Sequence, residues 1–177
     1  MSKPNTQDND VAASGDQPQE NGDRQRTDFV LEKFFPYRVR VFYTDVTNAL
    51  SEVYQRDYGM MPAEWRTMAI LGAASGGLQA TEIVARSSMD KVVVSRAVRR
   101  MEERGFLMRE ANSADGRSFL LQLSDEGRAV YEDLAPKLLA VERKMLQGLG
   151  EEEISDFLAV AQRIRNNLAT SSEEDGH

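Results

Sequence analysis

Asp90-Lys91-Val92-Val93-Val94-Ser95-Arg96-Ala97-Val98-Arg99-Arg100-Met101-Glu102-Glu103-Arg104-Gly105 reads as one helix with two unlike sides. At roughly 100° per residue, Val94, Ala97, Val98 and Met101 share one side. Val92, Ser95, Arg96, Arg99 and Glu103 fall on the other, with Arg100 at its edge. The first side can pack on another helix. The second offers guanidinium forks and a hydroxyl to the outside. A helix of this shape fits the major groove of B-DNA, and arginine forks suit guanine edges and phosphates.

The surroundings of this helix predict its partners. Residues 79–86 form a short helix on Ile83 and Val84, and Ser88 is placed to cap the basic helix. Gly105 is placed to end it. Residues 106–110 and 118–123 are β-like runs, and Asp115-Gly116 between them is a turn signal. Ser124 caps a long helix with Asp125 and Glu126 in its first turn. That helix is striped by Val130, Leu134, Leu138, Val141 and Met145, and Pro136 should kink it. Upstream, residues 37–58 are helical behind Pro36, with Val39, Phe42, Val46, Ala49, Leu50 and Val53 on one side. Pro62 opens a helix to about Ala74, and a last helix covers residues 151–168. The expected fold is mostly α with a small β-hairpin: a winged helix-turn-helix with N- and C-terminal dimerisation helices. Its expected parts are a disordered acidic arm (1–28), a dimerisation region (34–60 and 125–170), a DNA-binding domain (61–124) and an acidic tail (171–177).

The chain has 177 residues and a net charge of −7, which looks wrong for a nucleic-acid binder. The charge is unevenly placed. Residues 1–28 and 171–177 each carry −3. Between Arg86 and Arg109, seven cations (Arg86, Lys91, Arg96, Arg99, Arg100, Arg104, Arg109) face three anions (Asp90, Glu102, Glu103), a local +4. Local field steers a polyanion more than net charge does. There are no cysteines, and the one histidine is His177, so thiolate catalysis, disulfides and histidine-based metal sites are not expected. No nucleophile–base pair or phosphate loop is evident, and neither an enzyme nor a cofactor is expected. No apolar run approaches the roughly 18 residues that span a bilayer, and the opening residues lack the apolar segment of a secretory signal. The expected location is therefore cytoplasmic, with no membrane partner.

Several stretches then carry a resemblance. Pro62-Ala63-Glu64-Trp65-Arg66 opens the second helix, Asp90 to Arg96 opens the basic helix, and Glu102-Glu103-Arg104-Gly105-Phe106-Leu107 closes it. Asp115-Gly116-Arg117 fits an Asp-x-Arg wing, and Leu123-Ser124-Asp125-Glu126-Gly127 follows it. In order and spacing these resemble the MarR family of bacterial transcriptional regulators over nearly all of residues 34–168. The resemblance implies a homodimer held by its terminal helices, a recognition helix in the major groove and wing arginines in the minor groove. It also implies a small-molecule pocket whose occupation releases DNA, in most members a repressing one. Phe35-Pro36-Tyr37-Arg38 and residues 89–98 look like members that respond to aromatic acids or their coenzyme A thioesters.

The candidate DNA contacts are Lys91, Val92, Ser95, Arg96, Arg99, Arg100 and Arg117, with Asp115 bracing the wing. Candidate ligand contacts are Tyr37, Arg38, Arg40, Phe42, Trp65, Arg66 and Met68. Arginines beside an apolar stripe can receive a carboxylate or phosphate, although each aromatic or Met on its own reads more readily as core than as pocket. The expected partners are a pseudo-palindromic duplex operator, a second copy of the chain, and a small aromatic carboxylate or acyl-CoA effector. The alternative is a winged-helix module for protein–protein contact without an operator.

Overall fold

The computed structural model describes residues 28–111 and 118–174. The chain divides into two units, Met1–Arg38 and Val39–His177. In the first, Leu31–Lys33 forms one 3-10 turn and the Phe29 ring meets Phe34 edge-on at 5.2 Å. Helix α1 (Phe35–Tyr58) opens in this unit and runs on through the second. There follow α2 (Pro62–Ala73), α3 (Ala80–Ser87), α4 (Lys91–Glu103), the antiparallel strands β1 (Leu107–Ala111) and β2 (Phe119–Leu123), α5 (Asp125–Met145) and α6 (Glu151–Glu174). The turn between the strands, with Asp115 and Arg117, lies outside the described residues, as does most of the expected acidic arm. This is the winged helix-turn-helix expected from the sequence, with α3 and α4 as its helix pair and the hairpin as its wing. α6 continues past Leu168, where the sequence pattern places its end, to Glu174.

The core forms where α2 meets α3, α4, α5 and β2. Met60, Met68, Ile83, Met101 and Leu134 are fully buried at its centre. Leu78 joins the hairpin through paired backbone bonds with Leu121, at 3.0 and 2.8 Å, as a single antiparallel bridge. On the outer side, Tyr58 Oη donates to Asp133, and Lys137 Nζ donates to both Asp133 (2.6 Å) and Asp57 (2.9 Å). These bonds tie the end of α1 to α5. The Arg56 guanidinium, and then Lys137, hold the Asp57 carboxyl down at about 2. α5 continues through Pro136 as one helix, and Val130, Leu134 and Leu138 of its stripe are buried. Val39, Phe42 and Tyr43 of α1 and Phe157, Leu158, Val160 and Leu168 of α6 keep apolar surface exposed.

The end of α4 is locked to the wing and to α5 by backbone geometry. Gly105 sits at φ +75, a left-handed conformation that glycine adopts at no steric cost. Its N–H donates to the Glu102 carbonyl and that of Phe106 to Met101, at 2.9 and 2.8 Å. This is the paired closure of a Schellman motif. Ser124 then caps α5, accepting from Gly127 N–H at 3.0 Å while its own hydroxyl donates to Gly105 O at 2.6 Å. The approach is so close that a Cβ on Gly127 would stand 2.0 Å from the Phe106 carbonyl oxygen. Gly127→Ala is therefore expected to cost about 2–4 kcal/mol, because backbone must move to admit the methyl. Gly76→Ala, whose Cβ would meet nothing within 4 Å, should stay within about 0.5 kcal/mol of wild type. Urea midpoints measure both, and equal midpoints for the two variants would refute the close-approach explanation.

Candidate nucleic-acid interface and ligand groove

α4 is positioned by its apolar side. Val94, Ala97, Val98 and Met101 are all buried, at 4% exposure or less. They pack the helix onto α2 and α3. Rotation about the helix axis would bury guanidinium groups, and burying an unpaired charge is expensive. Lys91, Val92, Ser95, Arg96, Arg99 and Arg100 are consequently all on the exposed side. Val92 is 57% exposed, a large aliphatic in open solvent. The N-terminal cap is Asp90, whose carboxylate accepts from Val93 N–H at 2.9 Å. Ser88, the cap expected from sequence, instead closes α3 at φ 53 in the left-handed region. The two residues compete for one role, and the carboxylate at the start of α4 suits a helix N-terminus better.

The cations on this face are not equivalent. Arg99 Nε donates to Glu103 at 2.8 Å on its own helix, and Arg100 Nη1 lies 3.6 Å from Glu64. Lys91 and Arg96 form no ion pair with any described residue. Arg109 on β1 grips Glu102 through two nitrogens, one of them at 2.8 Å, which fixes the wing against α4. Arg104 donates to the Tyr58 carbonyl, stands 3.4 Å from Glu64 and covers the Phe106 ring at 4.6 Å. Glu64 drew no role from its sequence. Its position three residues after Met61, whose N–H it caps at 3.1 Å, was the one available signal.

The ligand candidates scatter. Met68 is fully buried in the core cluster with Met60, Ile83 and Met101. Trp65 is half-buried and stacked between Tyr54 (6.4 Å) and Tyr131 (6.3 Å). Phe42 is exposed, with its ring edge-on to Phe157 at 5.7 Å. Arg40 is exposed on α1, and Tyr37 and Arg38 lie in the first turns of that helix. Arg66 lines a cavity. A groove of about 360 Å³ is bounded by Arg66, Ala69, Ile70 and Ala73 of α2 and by Arg86 of α3. Arg66 Nη1 reaches the Ser87 carbonyl at 3.5 Å. Thr47, and then Arg66, pull the Tyr43 phenol below its ordinary range. Arg86, paired at 3.6 Å with Glu82, reads in the sequence as one cation of the basic stretch, with nothing local to place it beside Arg66. Two guanidiniums over an alanine–isoleucine floor suit an anion with an apolar body.

Among the described residues no cluster of three or more His, Cys, Asp or Glu is arranged to hold a metal, and no helix is long and apolar enough to cross a membrane.

The MarR family model matches residues 58–118, the stretch from the end of α1 through α4 and β1. The transcriptional repressor MdtR of Bacillus subtilis is 30% identical over 117 residues, covering 66% of this chain and 72% of that protein. The chain belongs to the MarR family. Another B. subtilis regulator of the helix-turn-helix type, YwaE, is 21% identical over 96 residues, which cover 54% of this chain and 56% of that protein. The crystal structure of a MarR-family regulator from Silicibacter pomeroyi superimposes with a TM-score of 0.62 at 28% identity, over 78% of this chain and 92% of that one. As a MarR-family member the protein is a DNA-binding transcriptional regulator and not an enzyme.

Proposed function

We propose that the protein is a homodimeric repressor that binds a pseudo-palindromic operator and is released from it by a small aromatic acid or its coenzyme A thioester. The observation that carries the DNA reading is the outward side of α4, where Lys91, Ser95 and Arg96 stand exposed, with no partner among the described residues, on a helix fixed by its buried side. Arg96 reaches base edges or phosphates in the major groove, Lys91 and Ser95 hold phosphates near the positive end of the helix, and Val92 packs on a thymine methyl. Arg99 and Arg100 extend the contact toward the helix end. Arg117, braced by Asp115, enters the minor groove from the wing. Solved structures that share this fold include the MepR–DNA complex of Staphylococcus aureus, at 18% identity a likeness of fold alone.

Dimerisation is favoured by the apolar surface that α1 and α6 leave exposed in one copy, at about 25 cal/mol for each Å² removed from water. An isologous pair carries two copies of α4, which suits a site with two-fold symmetry. The terminal helices of both subunits then form the dimer region, and residues 61–124 the DNA-binding lobe. The arm at residues 1–28 and the tail at 171–177 carry negative charge that opposes unspecific attraction to DNA.

The Arg66–Arg86 groove is the favoured effector site: guanidiniums receive a carboxylate or phosphate and the α2 floor receives a ring. Arg40 and Phe42 on α1 are proposed as further cationic and aromatic contacts for the effector, and Tyr37 and Arg38 are kept as effector contacts in their own right, apart from this groove. The CouR regulator of Rhodococcus jostii bound to p-coumaroyl-CoA has the same fold at 18% identity. A ligand that prefers a dimer geometry unsuited to the operator shifts the population away from the bound form.

Two measurements test these readings. On a duplex selected from a random pool by the wild-type protein, Arg96→Ala should weaken binding by about 1–3 kcal/mol, while Arg99→Ala, whose guanidinium must first leave Glu103, loses less. Wild-type affinity for the Arg96 variant in a fluorescence anisotropy titration contradicts the DNA reading. For the effector, benzoate, p-coumarate and p-coumaroyl-CoA are added in a thermal-shift assay. At least one should raise the melting temperature of wild type, and the rise should vanish in Arg66→Ala. A flat response across all three, or an equal rise in the variant, removes this effector class or this groove.

A further inference from the structure

Glu64 is a carboxylate at 3% exposure that faces two guanidiniums, of Arg100 in the last turn of α4 and of Arg104, the residue that caps its C-terminus. Its Oε1 lies 3.6 Å from Arg100 Nη1 and its Oε2 lies 3.4 Å from Arg104 Nη1. The same Oε2 accepts from Met61 N–H at 3.1 Å, so the side chain is pinned by the first turn of its own helix. Arg104 is pinned in turn by the Tyr58 carbonyl and the Phe106 ring. Arg100 has no other ionic partner among the described residues, and its side chain remains 59% exposed on the edge of the basic side. Tyr58 also reaches Asp133 through its hydroxyl at 2.9 Å, so the cluster is continuous with the bonds between α1 and α5.

We infer that Glu64 is a positioning residue for the DNA-facing side of α4: by holding Arg100 and Arg104 from within, it limits how many cations a duplex meets and keeps them at one place. The inference rests on the reading of α4 as the DNA-facing helix. A carboxylate behind a guanidinium competes with phosphate for it. Long-range, sequence-independent attraction scales with the number of phosphates neutralised, whereas discrimination depends on where each fork points. Glu64 therefore lowers unspecific affinity and sharpens selectivity together. Without its charge, Arg100 is free to swing onto any nearby phosphate.

The test uses the full chain, the selected duplex, an unrelated duplex of equal length and a salt series. Glu64→Gln keeps the shape of the side chain and an oxygen for Met61 N–H but removes the charge. The salt slope on the unrelated duplex should steepen by about one unit for each released guanidinium, and the affinity ratio between the two duplexes should fall at least about threefold. Arg100→Ala added to Glu64→Gln should return the slope toward wild type. Glu64→Asp, which keeps the charge, should leave it unchanged. A Glu64→Gln protein that melts cooperatively and shows the wild-type slope and ratio overturns the inference. If that variant does not fold, single substitutions decide: Arg100→Ala should change the slope by less than half of what Arg96→Ala does, and equal changes overturn it. If Arg96→Ala weakens binding while Glu64→Gln alters nothing, only the role of Glu64 is lost. If wild type shows no salt-dependent affinity for duplex DNA, both readings are lost.

Discussion

Everything that the basic surface can do depends on the burial of four side chains: Val94, Ala97, Val98 and Met101. They fix the rotation of α4 about its own axis, and in an α-helix that rotation determines where every other side chain points. The helix cannot slip by one residue without moving a guanidinium toward Met68 and Ile83 in the core. Capping by Asp90 and closure at Gly105 fix its two ends. The functional surface is thus the remainder left after a core has been formed, and it inherits its precision from packing.

Charge is organised on the same principle. The protein is acidic overall, yet three glutamates near α4 have defined arginines: Glu103 for Arg99, Glu102 for Arg109, and Glu64 for Arg100 and Arg104. Three of these pairs link separate elements, so they orient the wing and the start of α2 against the helix. The pair exposed on both sides, Arg99 with Glu103, adds little to stability. The effect of the pairs is on direction and on local field, which matter for meeting a polyanion.

The parts of the fold that were legible in the sequence are the local ones. The α4 stripe, the α5 cap at Ser124 and the opening of α2 at Pro62 all follow from patterns within a few residues, and each has its expected place. The competition between Ser88 and Asp90 was not resolvable by pattern, because both are good capping residues two positions apart. Glu64 and Arg100 are far apart in sequence, and nothing local announces that α2 and α4 cross at that point. Arg86 is equally silent until α3 docks beside Arg66. Met68, a flexible apolar side chain on α2, can serve a pocket or a core, and it is fully buried.

The decisive chemistry lies in the major groove, where guanine presents its N7. Dimethyl sulfate methylates that atom, so its footprint on a duplex selected by the protein reports occupancy of the groove directly. Two patches of guanine N7 protection, centred about 10 base pairs or a multiple of that apart, are expected for a pair of α4 helices on one duplex. A fully bound duplex whose guanines all remain open to methylation would contradict a recognition role for α4.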